Sequence, residues 1–170
     1  MNKLTETTKQ IFFQLLNLDL SVKDFEQWVY KYSDILETDL QAELHFDLIS
    51  FDYNQRGSFS KIKEKIKPYI DNDEFNIWRA KKLLTDIIEQ KIDLVEATRK
   101  LRELYFDTGE SFIPVKLGIG YESELDDLPI PSEYHQWDSQ MLKEKLKKVD
   151  LYKDKIVHDA KQFLSALNKV

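Results

Sequence analysis

Cysteine is absent from this 170-residue chain. That excludes a disulfide framework, a thiolate metal centre and a cysteine nucleophile. Glycine and proline are scarce, four of each, and apart from Gly57 and Pro68 they all fall between residues 109 and 131. Long stretches without either breaker read as helix. No apolar run approaches the ~20 residues that span a bilayer. The Ile11-Phe12-Phe13 cluster, followed at once by Gln14, is too short for a signal-peptide core. A cytoplasmic protein with no membrane attachment is the expectation.

Catalytic signatures are also missing. There is no Gly-x-Ser-x-Gly elbow and no phosphate-binding glycine loop closed by Lys-Ser/Thr. Gly118-Ile119-Gly120 lacks the third glycine of a dinucleotide fingerprint. The histidines, His45, His135 and His158, never pair at helical spacing, and Glu43-Leu44-His45 is not the Glu-x-x-His of di-iron bundles. We therefore expect no enzyme, no cofactor and no metal site.

The most informative absence concerns one sign of charge. Residues 33–55 hold six carboxylates and no Lys or Arg, and residues 117–142 hold six more, again with no Lys or Arg. These 49 positions carry −12, whereas the other 121 carry 25 basic and 19 acidic residues. Segregated charge makes a field, and a field selects partners by sign. The net charge of −6 disfavours nucleic acid and anionic lipid, whose long-range interaction is repulsive. The basic runs at 61–67 and 143–148 both contain Glu and alternate with apolar positions, so they read as solvated helix faces.

What is present fits an all-α fold. A 42% apolar and 12% aromatic content supplies a core without staples. We expect a single domain of six to eight helices over residues 1–170, with a long irregular segment at 109–137. Ile11, Phe12, Leu15 and Leu16 form the first stripe. Ser21 caps the next helix, with Asp24 reaching back and Phe25, Trp28 and Val29 inside. From Thr38, the positions Leu40, Leu44, Leu48 and Phe51 share one face. Ile62, Ile66 and Ile70 follow at spacing four, with a break near Lys67 because of Pro68. A strand is the competing reading there, but Lys and Glu are poor strand residues. Asp71 to Glu74 opens a further helix, and Asp93 caps the one after it, which Gly109 ends. Their short link makes these two antiparallel neighbours. Ile113, Val115, Leu117, Ile119 and Tyr121 alternate, which suggests a short strand or strap. Helix resumes at Asp138 and again at Asp150, a candidate cap.

Two constellations are candidate binding sites. Asp39, Glu43 and Asp47 lie at i, i+4 and i+8, a carboxylate stripe whose like-charge pairs each cost a few tenths of a kcal/mol. In the irregular segment, Glu122, Glu124, Asp126 and Asp127 are interleaved with Tyr121, Tyr134 and Trp137, stiffened by Pro129-Ile130-Pro131. Interfaces draw energy from buried Tyr and Trp, while surrounding charge sets rate and selectivity. Either set suits a basic partner protein, provided the chain's own lysines do not neutralise it. The ordinary alternatives are a solvated helix face and aromatics that merely pin a loop to the core.

The residues Phe25-Glu26-Gln27-Trp28-Val29-Tyr30, then Asp39-Leu40 and Leu48-Ile49-Ser50-Phe51-Asp52-Tyr53, resemble a pattern in small acidic helical proteins of Gram-positive bacteria. Some of these look like immunity proteins of toxin systems. The resemblance covers the first third of the chain and transfers no catalytic residue. In length and motif the chain departs from the short four-helix immunity proteins of nuclease colicins. The resemblance implies a cytoplasmic protein that neutralises a toxin by binding it. The expectation from another class is a structural or regulatory protein that self-associates through apolar faces.

Overall fold

The computed structural model describes residues 4–40 and 42–169. Among them are nine α-helices, one π-helical turn and two 3-10 turns, with no strand, so the fold is all-α. The chain divides into two compact units, residues 1–75 and 76–170.

In the first unit, α1 (Glu6–Leu16) is capped by Thr5, whose hydroxyl accepts from the Thr8 amide. It buries Phe12, Phe13 and Leu15. Next comes α2 (Val22–Lys31), where Ser21 is the N-cap, accepting from the Asp24 amide at 3.1 Å. The Asp24 carboxylate accepts from the Ser21 hydroxyl at 2.6 Å rather than from the Ser21 amide, because Asp is too short for the reciprocal reach of Glu. The core is closed by α3 (Ser33–Asp39), α4 (Ala42–Ile49) and α5 (Ser58–Ile66), which contribute Leu36, Leu44, Leu48, Ile62 and Ile66. Gly57 precedes α5 at φ +74°, in the left-handed region that favours glycine. The Ile62 run is helical, and Pro68 converts its end into a 3-10 turn, Lys67–Tyr69.

One helix was expected from Thr38 through Phe51, but the chain breaks there. Asp39 ends α3, Leu40 is extended (φ −100°, ψ 158°), and α4 begins at Ala42. The cause is tertiary: both the Thr5 and Thr8 hydroxyls donate to Asp39 Oδ2, which fastens the end of α3 to the start of α1.

The boundary between the units falls within α6 (Asn72–Ile88), after Phe75. In the second unit, α7 (Leu94–Asp107) is capped by Asp93, which accepts from the Val95 and Glu96 amides. Arg79, midway along α6, bonds Asp107 at the end of α7 at 3.1 Å, and with only residues 89–93 between them the two helices run antiparallel. The segment expected to be irregular is partly helical: a π turn (Lys116–Gly120), α8 (Tyr121–Leu125) and a 3-10 turn (Pro131–Gln136). No strand forms at 113–121. The buried large apolar side chains there include Ile113, Leu117, Tyr121, Leu125 and Leu128, a helical spacing, while Val115 is 58% exposed. Asp138 caps α9 (Ser139–Leu167), a single helix of 29 residues. Asp150 lies exposed inside it and caps nothing.

The π turn and α8 are tied to α9 by polar bonds as well as by burial. The Tyr121 hydroxyl donates to Asp159 Oδ2 at 2.7 Å, and Lys116 Nζ lies 2.8 Å from the same oxygen. The Lys116 and Tyr121 bonds hold Asp159 below the usual 3.8, against the opposing effect of burial. A carboxyl depressed in the folded state adds stability that is present above its unfolded pKa and lost as pH falls through the folded one. Asp127 is depressed in the same direction, first by its bond to Lys148. The second unit should therefore weaken as pH falls below about 4. Asp159→Asn should flatten that acid limb. Urea midpoints followed at the Trp137 indole across this range check it, and an unchanged acid limb in the variant would refute it.

Candidate binding surfaces

The structure separates the two lysine-free stretches by how far the protein answers their charge. In the second stretch, Glu122 lies 3.4 Å from Arg102 Nε. Glu124 accepts from the Tyr152 hydroxyl at 2.8 Å. Asp127 bonds Lys148 at 2.9 Å and lies 3.5 Å from Lys145. Lys145 also stands over the Trp137 ring, 5.1 Å from its centroid. Tyr121 is buried, and Tyr134 donates to Asp93 at 3.2 Å, its pKa pushed up to about 12 by burial and then by the Asp93 charge. Much of this stretch is thus bridged by the chain's own residues, and Tyr121 and Tyr134 serve as internal pins. The expected unmatched anionic loop is not there. Asp126 is the exception: it is exposed and enters no ion pair among the described residues.

The expected stripe in the first stretch is also dismembered. Asp39 is 8% exposed and turned inward to Thr5 and Thr8. Asp47 on α4 is bonded to Lys65 of α5. Glu43 alone of the three is both exposed and outside any ion pair among the described residues.

A different surface takes the place of the stripe. Residues α3 does not bury include Asp34, Ile35, Glu37 and Thr38, and Ile35 is 46% exposed. On α4, Ala42, Glu43 and Phe46 share one outward face, with Phe46 70% exposed. The two helices are adjacent, with Ser33 Oγ 3.4 Å from His45 Nε2. Asp34, Glu37 and Glu43 enter no ion pair among the described residues. Asp34, Ile35, Glu37 and Phe46 were not among the site residues expected from the sequence, although the 3.6-residue period places Phe46 opposite the buried Leu44 and Leu48 of α4.

The second unit offers a groove of about 280 Å³ between α7 and residues 126–137, with Arg99, Asp126, Pro129, Glu133 and Trp137 in its lining. Arg99 donates to the Leu128 carbonyl at 2.8 Å and lies 4.0 Å from Glu133.

No group of three or more His, Cys, Asp or Glu side chains among the described residues could hold a metal ion. No helix among them is long and apolar enough to cross a membrane. Comparison with family models, with characterised proteins and with solved structures finds no match.

Proposed function

We propose that this chain is a non-catalytic binding protein, an immunity-type inhibitor that covers the basic active surface of a bacterial toxin. One observation carries the reading: Asp34, Glu37 and Glu43 stand outward and outside ion pairs beside exposed Ile35 and Phe46. Exposed aromatic and aliphatic side chains ringed by one sign of charge suit a partner of opposite sign, since the apolar groups give affinity and the charges steer encounter. On this reading the carboxylates stand where the toxin's phosphate substrate would lie, and the protein's bulk blocks access. Such steering raises association rates by roughly 10–10³-fold and fades with salt.

The test starts from the neighbouring reading frames. A frame encoding a basic toxin domain, whose toxicity is relieved by co-expression with this protein and which co-elutes with it, is the expected result. Glu37→Lys with Glu43→Lys should then slow association by roughly tenfold or more at low salt, measured by stopped flow. Absence of such a neighbour, or association that ignores both salt and charge reversal, would overturn the reading.

A further inference from the structure

We propose that the groove between α7 and residues 126–137 receives the guanidinium of an arginine side chain presented by a partner protein, stacked on Trp137 and paired with Asp126. This inference concerns the second unit and stands independently of the α3–α4 surface.

Its size is the first argument. At about 280 Å³ the groove falls at or below the ~300–1,000 Å³ of small-molecule sites, so it fits one side chain better than a whole ligand. Charge is the second. The other ionic groups in the lining already have answers within the protein: Arg99 is held by the Leu128 carbonyl and faces Glu133, Glu133 also accepts from the Ile130 amide at 3.0 Å, and Asp127 is bridged by Lys145 and Lys148. Asp126, which lines the same groove, has no such answer among the described residues. A cation entering here meets an unmatched carboxylate.

The third argument is the indole. Trp137 already receives one ammonium, that of Lys145, over its ring. Trp137 also lines the groove, whose lining does not include Lys145. Arginine matches such a site better than lysine, because its planar guanidinium stacks on an aromatic face and meets a carboxylate with two parallel N–H groups. Pro129 and Pro131 limit the backbone freedom of this wall, which lowers the ordering cost of binding.

The probe is the tripeptide acetyl-Gly-Arg-Gly-amide, titrated at low salt while the Trp137 indole N–H resonance is followed. The isosteric citrulline peptide, which lacks the charge, is the control. A saturable shift with millimolar affinity is expected from the arginine peptide and not from the citrulline one. Asp126→Asn, at an exposed position that leaves the core untouched, should weaken binding roughly tenfold. The variant carrying Glu37→Lys and Glu43→Lys should keep the full response, so this proposal and the α3–α4 reading fail separately. No shift at millimolar peptide, equal shifts from both peptides, or undiminished binding to the Asp126→Asn protein would each overturn it.

Discussion

Phe12→Ala is expected to destabilise the first unit by about 3–5 kcal/mol. Phe12 is fully buried, and its ring packs against Phe25 at 6.1 Å between centroids. Phe25 in turn stacks on Trp28 at 6.1 Å and tilts against Tyr53 at 6.2 Å, so one truncation leaves a void at the edge of a connected aromatic cluster. The loss has two parts. Transfer of the ring from water contributes about 1.5–3 kcal/mol, and the unfilled cavity adds the rest, because close-packed neighbours relax only partly. Neither part can be recovered by solvent, since the residue lines no surface. Urea unfolding should be followed at the Trp28 indole, which reports on this unit alone, because a chain with two compact units need not unfold in one step. With a typical slope of roughly 1–3 kcal/mol per molar, the midpoint there should fall by about 1 M or more. A loss under about 1 kcal/mol would mean that α1 and α2 are not packed as described.

The features read correctly from sequence are those set by near neighbours. Ser21 and Asp93 were legible as caps because a capping side chain bonds amides two or three residues ahead. The break at Pro68 was legible because proline blocks the helix locally. Where reading failed, a distant partner decided. The helix expected from Thr38 is cut at Leu40 because Asp39 finds Thr5 and Thr8, more than thirty positions away. The strand or strap expected at 113–121 failed for another reason: Ile113, Leu117 and Tyr121 fit period two and period four alike, and the exposure of Val115, with the burial of Leu125 and Leu128 further on, selects the helical one.

The candidate site shows the same division. That residues 33–55 and 117–142 lack Lys and Arg is a fact of sequence, but whether their charge reaches solvent is a fact of folding. Lys148 meets Asp127 from 21 positions away, and Lys65 meets Asp47 from 18. No local pattern announces such pairs. The acidic stretch with the more suggestive composition, rich in Tyr, Trp and Pro, turned out to be the better neutralised one. Of the carboxylates that stay outward and unmatched, Glu43 and Asp126 were among the candidate residues of the sequence, whereas Asp34 and Glu37 were not, because single exposed carboxylates on polar faces are the commonest thing a soluble helix displays.

Two glycines in the π turn should respond to the same substitution with opposite sign. Gly118→Ala is expected to cost about 1–3 kcal/mol. A β-carbon there would sit 2.5 Å from Tyr105 Cδ2, 2.7 Å from Cγ and 2.8 Å from Cβ. Those atoms lie at the root of the side chain, so the ring cannot swing clear by rotating its far end. Tyr105 is itself buried on α7, and its ring is met edge-on by Phe106 at 5.4 Å, so relief requires moving the π turn away from α7. The gain that alanine brings to helical backbone, up to ~1 kcal/mol, is smaller than this overpacking cost. Gly120→Ala carries the gain without the clash. Its backbone is already right-handed helical (φ −61°, ψ −50°), and the nearest atom to an added β-carbon is Lys116 Cγ at 3.6 Å, an ordinary contact. Alanine there should stabilise the second unit by about 0.4–1 kcal/mol, mainly by reducing the freedom of the unfolded chain. Denaturation followed at the Trp137 indole should therefore move the two midpoints in opposite directions. If both variants shifted the same way, the close approach of the π turn to Tyr105 would be wrong, and with it the helical account of the segment that carries Tyr121 and Leu125 into the core.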